Sequence, residues 1–242
     1  YSLGNLNKEP KAVTGGLMHQ MYHVSTEQGE YAVKVLNPAI MKRPEALQNM
    51  INSEMVSRKL ERVIPVVVAK SFGGKNIIEY DDSYYIIFDW LEGNSIFVPH
   101  ISEYHCEQVG RILGKIHAAN INVSTIEKSQ DNRDEYDWDM LLEKAQQYSA
   151  DCYVILKENL SDIVRWDKCV VSGLHETSQK QVISHGDLDP KNVMWKEEQP
   201  YIIDWESAGY VNPYQELIEV LNYWISDETG KYNTHIYATD WL

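Results

Sequence analysis

Apolar residues recur along this chain with two different periods, and each period predicts its own kind of element. Tyr31-Ala32-Val33-Lys34-Val35-Leu36 alternates as a strand does, with successive side chains on opposite faces. Met21 to Ser25 reads as a preceding strand, and Gln28-Gly29-Glu30 as the turn between the two. Residues 63–71, 76–80 and 84–88 read as further strands, the last of them buried, with Gly73-Gly74 as a turn. The period then changes. Val109, Ile112, Leu113 and Ile116 fall at i, i+3, i+4 and i+7, the core-facing stripe of a helix that Ser102 caps and that ends near Ala119. An earlier helix is predicted over residues 44–61, with Leu47, Met50, Ile51 and Leu60 on its inner face and Glu54 sharing that face. Helical patterns return at 140–148, 152–171 and 214–225, while Val182-Ile183 and Tyr201-Ile202-Ile203 read as short buried strands. Strands come early and helices late, which predicts an α+β chain.

The chemistry lies between the last two short strands. His185-Gly186-Asp187-Leu188-Asp189-Pro190-Lys191-Asn192 is followed by Ile202-Ile203-Asp204-Trp205. An Asp, an Asn five residues later and an Asp seventeen after the first suit phosphoryl transfer, where positioning and metal neutralisation supply most of the catalysis. Asp187 is placed to accept the proton of an attacking hydroxyl. Asn192 and Asp204 offer the hard oxygen ligands that suit Mg²⁺ bound together with nucleotide phosphates.

With His-Gly-Asp and Ile-Asp-Trp at this spacing, the chain resembles the aminoglycoside phosphotransferases, a family of small-molecule kinases related to choline, homoserine and methylthioribose kinases. The resemblance implies a two-lobed protein-kinase-like fold. Residues 1–88 would form a sheet-rich nucleotide-binding lobe, 89–93 a hinge, and 94–242 a helical lobe carrying the catalytic loop and the acceptor site. It implies that Lys34 contacts the nucleotide phosphates and that a helical carboxylate, Glu54 ahead of its rivals Glu45 and Glu61, holds Lys34 in place. Gly16, in Thr14-Gly15-Gly16-Leu17, would let backbone N–H groups drape over the phosphates, although a plain hairpin turn describes the same residues. The Asp89 carbonyl and the Leu91 N–H would read the purine, with Phe88 at the back of its pocket. His117 is expected to be a packed structural histidine. Two positions depart from kinase patterns. Glu216 stands where relatives often have a structural Asp, a matter of packing. Asp189 stands where protein kinases carry a catalytic-loop Lys, which leaves Lys34 and Mg²⁺ to hold the γ-phosphate. The segment between Asp204 and residue 213 is read as a loop too short to be a phosphorylatable activation segment.

Composition narrows the partners. The formal charge of −14 lacks the basic footprint of nucleic-acid binding and suits a cationic substrate, whose approach a negative cleft accelerates. In the resembling family an inserted helical segment walls the acceptor site, and residues 131–139, dense in acids and aromatics, would suit a cation there, although a solvated helix entry describes the same residues. No apolar run approaches the ~20 residues of a membrane span. Three cysteines without metal-ligand spacing read as reduced thiols of a cytoplasmic protein. A chain that opens at Tyr1 and stops at Leu242 is expected to be incomplete, and nothing in it sets an oligomeric state. The expected activity is transfer of the γ-phosphoryl of ATP or GTP to a hydroxyl of a small molecule, an aminoglycoside foremost. A metabolite kinase of the same family and a non-catalytic nucleotide-binding scaffold are the alternatives.

Overall fold

A computed structural model describes residues 3–13, 18–128, 133–226 and 231. The strand-forming first part of the chain gives β1 (Lys11–Val13), β2 (Gln20–Thr26), β3 (Gly29–Val35), β4 (Ile77–Tyr80) and β5 (Ser83–Asp89). They form one antiparallel sheet in the order β1-β2-β3-β5-β4. Two helices lie between β3 and β4: the single turn α1 (Pro38–Met41) and α2 (Ala46–Leu60). β6 (Asn94–Ser95), α3 (Glu103–Ala119), α4 (Trp138–Gln147), α5 (Tyr153–Thr177), β7 (Val182–Ser184), β8 (Val193–Lys196), β9 (Gln199–Ile202), β10 (Gly209–Val211) and α6 (Pro213–Ile225) follow. The architecture is the two-lobed α+β arrangement expected, with a sheet-rich N-terminal lobe and a helical C-terminal lobe.

The residues also separate into two compact units: one made from the chain up to 127 and from 182 onward, the other from 128–181. In the second unit α4 and α5 pack together. The one buried residue of α5 is Asp167, and it organises the segment before α4. Its carboxylate accepts from the Tyr136 N–H at 2.8 Å and the Trp138 indole N–H at 3.0 Å, and pairs with Arg133 at 2.7 Å. Arg133 in turn lies 4.6 Å from the Tyr136 ring centroid. The described part of the acidic, aromatic stretch is therefore tied internally, and one of its rings already carries a cation. Cys152 and Cys169 in this unit are exposed free thiols, and Cys106 in the other is buried.

The first unit has two cores. Leu36, Met50, Ala69 and Ile86 fill the space between the sheet and α2. The larger core joins Val56 and Leu60 of α2 to the predicted α3 stripe of Val109, Ile112, Leu113 and Ile116, and to Ile183, Leu188, Val193, Ile202, Val220 and Trp224. Each such side chain, fully buried, stabilises the fold by roughly 1.5–3 kcal/mol. One helix thus serves both cores, Met50 in the one beside the sheet and Val56 and Leu60 in the one with Leu188 and Val193.

Three expectations about elements need correction. Residues 63–71 form no strand. They run extended beside two others, with Val67 N–H donating to Ile202 O and Lys70 N–H to Ile87 O, but Pro65 has no N–H and no continuous ladder forms. Residues 209–211, read as loop, pair with β7, and Trp205–Ser207 forms a 3₁₀ turn. Ile51, assigned to the inner face of α2, is exposed, while Asn52 and Ser53 are buried. The face turns because the helix buries two different sides along its length. No helix among the described residues is long and apolar enough to cross a membrane.

β6 brings the chain leaving the sheet against β8, and Gly93 makes this possible. A Cβ there would sit 2.6 Å from the Trp195 carbonyl oxygen. Gly93→Ala is expected to destabilise the protein by about 1–3 kcal/mol, as overpacking does. Urea melts of the two proteins check this, and an unchanged midpoint would mean that β6 is not held against β8.

Candidate active site

Lys34 lies in β3 on the same face as Leu36 and directly across from Ile86 in β5, so the sheet carries its stem into the core. It is 9% exposed. Its ammonium donates to Asp204 Oδ1 at 2.9 Å and makes a short contact with Glu206 Oε1. Burial disfavours that charge, but Asp204 and Glu206 outweigh burial and raise the lysine pKa. Glu206 is held from its other side by His19. The imidazole Nδ1 accepts the Asn37 N–H at 2.9 Å, and Nε2 lies 3.2 Å from Glu206 Oε2. Burial would raise the Glu206 pKa; the contacts of His19 and Lys34 overcome it and bring the carboxyl down to about 2.

The expected partner of Lys34 was Glu54. The structure instead pairs Lys34 with Asp204 and Glu206, and Glu54 Oε2 accepts the Ala69 N–H at 3.2 Å. Burial is the leading reason that the Glu54 carboxyl is pushed up to about 7, partly offset by that N–H and by the field of Lys34. A carboxyl often protonated at neutral pH is a poorer ion-pair partner than Glu206.

The catalytic segment is fastened from below. His185 is fully buried, its Nε2 donates to the Ile203 carbonyl at 2.9 Å, and its Nδ1 accepts the Asp187 N–H at 3.2 Å. Burial depresses its pKa and keeps the ring neutral, as this pair of hydrogen bonds requires. Trp205 packs against the same ring with centroids 4.6 Å apart, which accounts for the Trp after Asp204. Gly186 has φ +72°, and a Cβ on it would meet the Ser207 carbonyl oxygen at 2.5 Å, so the Arg of the protein-kinase motif has no room here. Beneath it Glu216, 3% exposed, accepts the Gly186 N–H at 2.9 Å and meets His117 Nε2 at 2.6 Å. Both residues hold structure, as expected of them. The Trp224 indole N–H donates to the Leu188 carbonyl at 2.9 Å and closes the clasp.

Held in this way, the chain presents its candidate residues together. Asn192 Nδ2 donates to Asp187 O at 2.8 Å and to Asp187 Oδ2 at 3.0 Å. The Ile203 N–H donates to Asn192 O at 3.0 Å, which ties the chain before Asp204 to Asn192. Asp204 itself has left-handed backbone angles (φ 58°, ψ 67°), a conformation that Asp tolerates better than most residues. No group of three or more His, Cys, Asp or Glu side chains that could hold a metal occurs among the described residues. An amide oxygen and one carboxylate suit Mg²⁺, which binds through one or two protein oxygens and completes its shell with phosphates and water.

Asp89 ends β5, with its carboxylate 2.7 Å from Lys70 Nζ, and Trp90 N–H donates to Glu30 O at 2.9 Å. Leu91 follows in the connection to β6. Gly16 lies outside the described residues. Sequence reasoning missed Glu206, which reaches Lys34 across a long stretch of chain, His19, which meets Glu206, and Lys191, whose ammonium lies 3.2 Å from Asp187 Oδ2 and 3.4 Å from Asp189 Oδ2. The spacing of four between Asp187 and Lys191 was a usable signal for the last.

Residues 9–239 match the model of the phosphotransferase enzyme family. The chain belongs to that family. The chain is similar in fold to an amicoumacin kinase solved with AMP-PNP, Ca²⁺ and Ami (TM-score 0.63, 14% identity, 92% of this chain and 65% of that one). It is similar also to a spectinomycin phosphotransferase solved with ADP and spectinomycin (TM-score 0.58, 17% identity, 89% and 68%). A choline kinase from Cryptosporidium parvum Iowa II gives TM-score 0.60 at 14% identity, over 96% of this chain and 69% of that one. The chain thus spans just under two thirds of the amicoumacin kinase chain. No curated protein sequence matches it.

The raised Glu54 pKa has a consequence for stability. The unfolded chain releases the Glu54 proton near 4.5 and the folded one near 7, so between these values the folded state binds more protons. Stability contributed at this residue is therefore lost as pH rises through that window. Glu54→Gln, whose carbonyl can still accept the Ala69 N–H, is expected to remove the decline and to gain on the order of 1–3 kcal/mol at pH 8. Urea melts at pH 5 and pH 8 check the sign, and parallel pH profiles for the two proteins would contradict it.

Proposed function

We propose that the protein transfers the γ-phosphoryl group of a nucleoside triphosphate to a hydroxyl of a small molecule. The observation that carries this reading is the joining of Asp187, Asn192 and the chain leading to Asp204 by three hydrogen bonds, with Lys34 on Asp204. Membership of the phosphotransferase family supports it, as do the nucleotides in the structures of similar fold.

In this reading Asn192 and Asp204 hold Mg²⁺, which when bound neutralises phosphate charge and draws electrons from the transferred group. Lys34 moves from Asp204 toward the α- and β-phosphates, while Glu206 rather than Glu54 keeps it aligned. The Asp89 carbonyl and Leu91 N–H read the base, ATP or GTP. Asp187 orients the acceptor hydroxyl and takes its proton. The acceptor oxygen forms a bond to the γ-phosphorus as the bond to the β–γ bridging oxygen breaks, and a nucleoside diphosphate leaves. Among acceptors we place an aminoglycoside first, followed by choline, ethanolamine, homoserine or a sugar. The net charge of −14 supports a cation. The 131–139 stretch supports it less than its composition suggests, because Tyr136 and Trp138 are engaged with Asp167. A nucleotide-consumption screen over these acceptors tests the assignment, and the absence of turnover with all of them would favour a nucleotide-binding scaffold.

Asp187→Asn is close to isosteric and removes the basic oxygen. We expect kcat on the best acceptor to fall by about 10²–10⁴ with the KM for nucleotide nearly constant, the pattern of an interaction made mainly in the transition state. Steady-state kinetics check this; a variant with wild-type kcat would remove Asp187 from the chemistry.

A further inference from the structure

The catalytic segment alternates. Leu188, Pro190 and Asn192 are buried, while Asp187 and Asp189 are partly exposed and Lys191 is exposed. Residues 187, 189 and 191 thus present their side chains away from the core, side by side. Lys191 is also held by its backbone on both sides. Its N–H donates to Asp189 Oδ1 at 2.8 Å within the 3₁₀ turn Pro190–Asn192, and its carbonyl accepts the Ser95 hydroxyl at 3.2 Å. From this fixed base the side chain turns back. Its ammonium stands 3.2 Å from Asp187 Oδ2 and 3.4 Å from Oδ1, and 3.4 Å from Asp189 Oδ2.

Charge at the site explains why this cation matters. Asp187, Asp189, Asp204 and Glu206 gather four carboxylates where a polyanionic triphosphate would enter. Among the described residues, Lys34 and Lys191 are the lysines within ion-pair reach of them. The two stand at different places, Lys34 on Asp204 and Lys191 on the residue read as facing the acceptor hydroxyl. They also differ in commitment. Lys34 is enclosed, its side chain 11% exposed, whereas that of Lys191 is 47% exposed. Exposed ion pairs contribute little, so Lys191 gives up its carboxylates at little cost. A phosphate offers charge-assisted hydrogen bonds of the stronger kind in exchange.

We infer that Lys191 holds the terminal phosphate of the bound nucleoside triphosphate against Asp187. The cation missing at position 189 is supplied from two residues further along, its ammonium carried to the same place by the turn of the chain. While no phosphate is present Lys191 occupies Asp187, and the arriving phosphate draws it away, leaving the Asp187 carboxylate to the acceptor hydroxyl. The inference rests on the kinase reading of this site.

The test is binding, which needs no acceptor. Titration calorimetry with Mg²⁺ compares a non-hydrolysable triphosphate, AMP-PNP or GMP-PNP, with the matching diphosphate on the wild type, Lys191→Ala and Lys191→Arg. Lys191→Ala is expected to weaken triphosphate binding about tenfold and diphosphate binding less than twofold, with Lys191→Arg recovering most of the difference. Equal affinities for wild type and Lys191→Ala, with both nucleotides bound, would overturn the inference and leave the kinase reading standing. An equal loss for both nucleotides would overturn it as well, by showing a structural role. A wild type that binds neither nucleotide would remove the kinase reading first, and this inference with it.

Discussion

The geometry of the site depends on one uncharged ring. His185 reaches from the end of β7 to the carbonyl of Ile203 and at the same time receives the N–H of Asp187. Both bonds need the tautomer with its proton on Nε2, because a second proton would set a donor against the Asp187 N–H. Full burial maintains that state by opposing the charged form, even with Glu216, Asp204 and Asp187 near enough to favour it. Removing the ring would leave the buried Ile203 carbonyl without that donor and take away one of the ties between the Asp204 segment and the Asp187 loop. Glu216 below Gly186 and Trp224 below Leu188 close what the imidazole begins.

Around this neutral centre the charges are distributed by burial. Glu54 and Glu206 both lie near Lys34, but they have opposite fates. Glu54, short of counter-charge, is pushed to about 7; Glu206, between Lys34 and His19, falls to about 2. The lysine pairs with the carboxylate that is always ionised. Glu206 is also met by His19 and so does not depend on the lysine alone. The Lys34–Glu206 pair joins the sheet to the 3₁₀ turn after Asp204.

What could be read from the sequence was whatever a local pattern carries. The α3 stripe at Val109, Ile112, Leu113 and Ile116 is buried as its period requires, β3 follows from alternation, and β2 and β5 lie where strands were read, although only Ile86 of β5 is fully buried. His185 to Trp205 was legible because its residue types stand at the fixed spacing that marks the family. The failures share a cause. Residues 63–71 have the composition of a strand, but Pro65 and the lack of a continuous partner leave them as an extended connection. Gly209 disguised β10, whose pairing with β7 is set by the tertiary fold. Glu54 was chosen through a helix face that included Ile51, and the structure exposes Ile51. The actual partner, Glu206, lies 172 residues from Lys34, a distance over which no periodicity speaks.

The pair Asp189 and Lys191 shows why a motif is better compared by position in space than by slot in the chain. Matched slot by slot, Asp189 is a lost cation and the active site is one charge poorer. In the folded segment Asp189 accepts the Lys191 N–H and so shapes the turn from which Lys191 reaches Asp187. The acid is the device that places the base. An Asp side chain can bond the backbone N–H two residues on, which a Lys cannot do, so the two residues are not interchangeable within this turn. Space decides Gly186 in the same way: the Ser207 carbonyl lies so close beside it that no side chain fits there, whatever the matching slot of another motif carries.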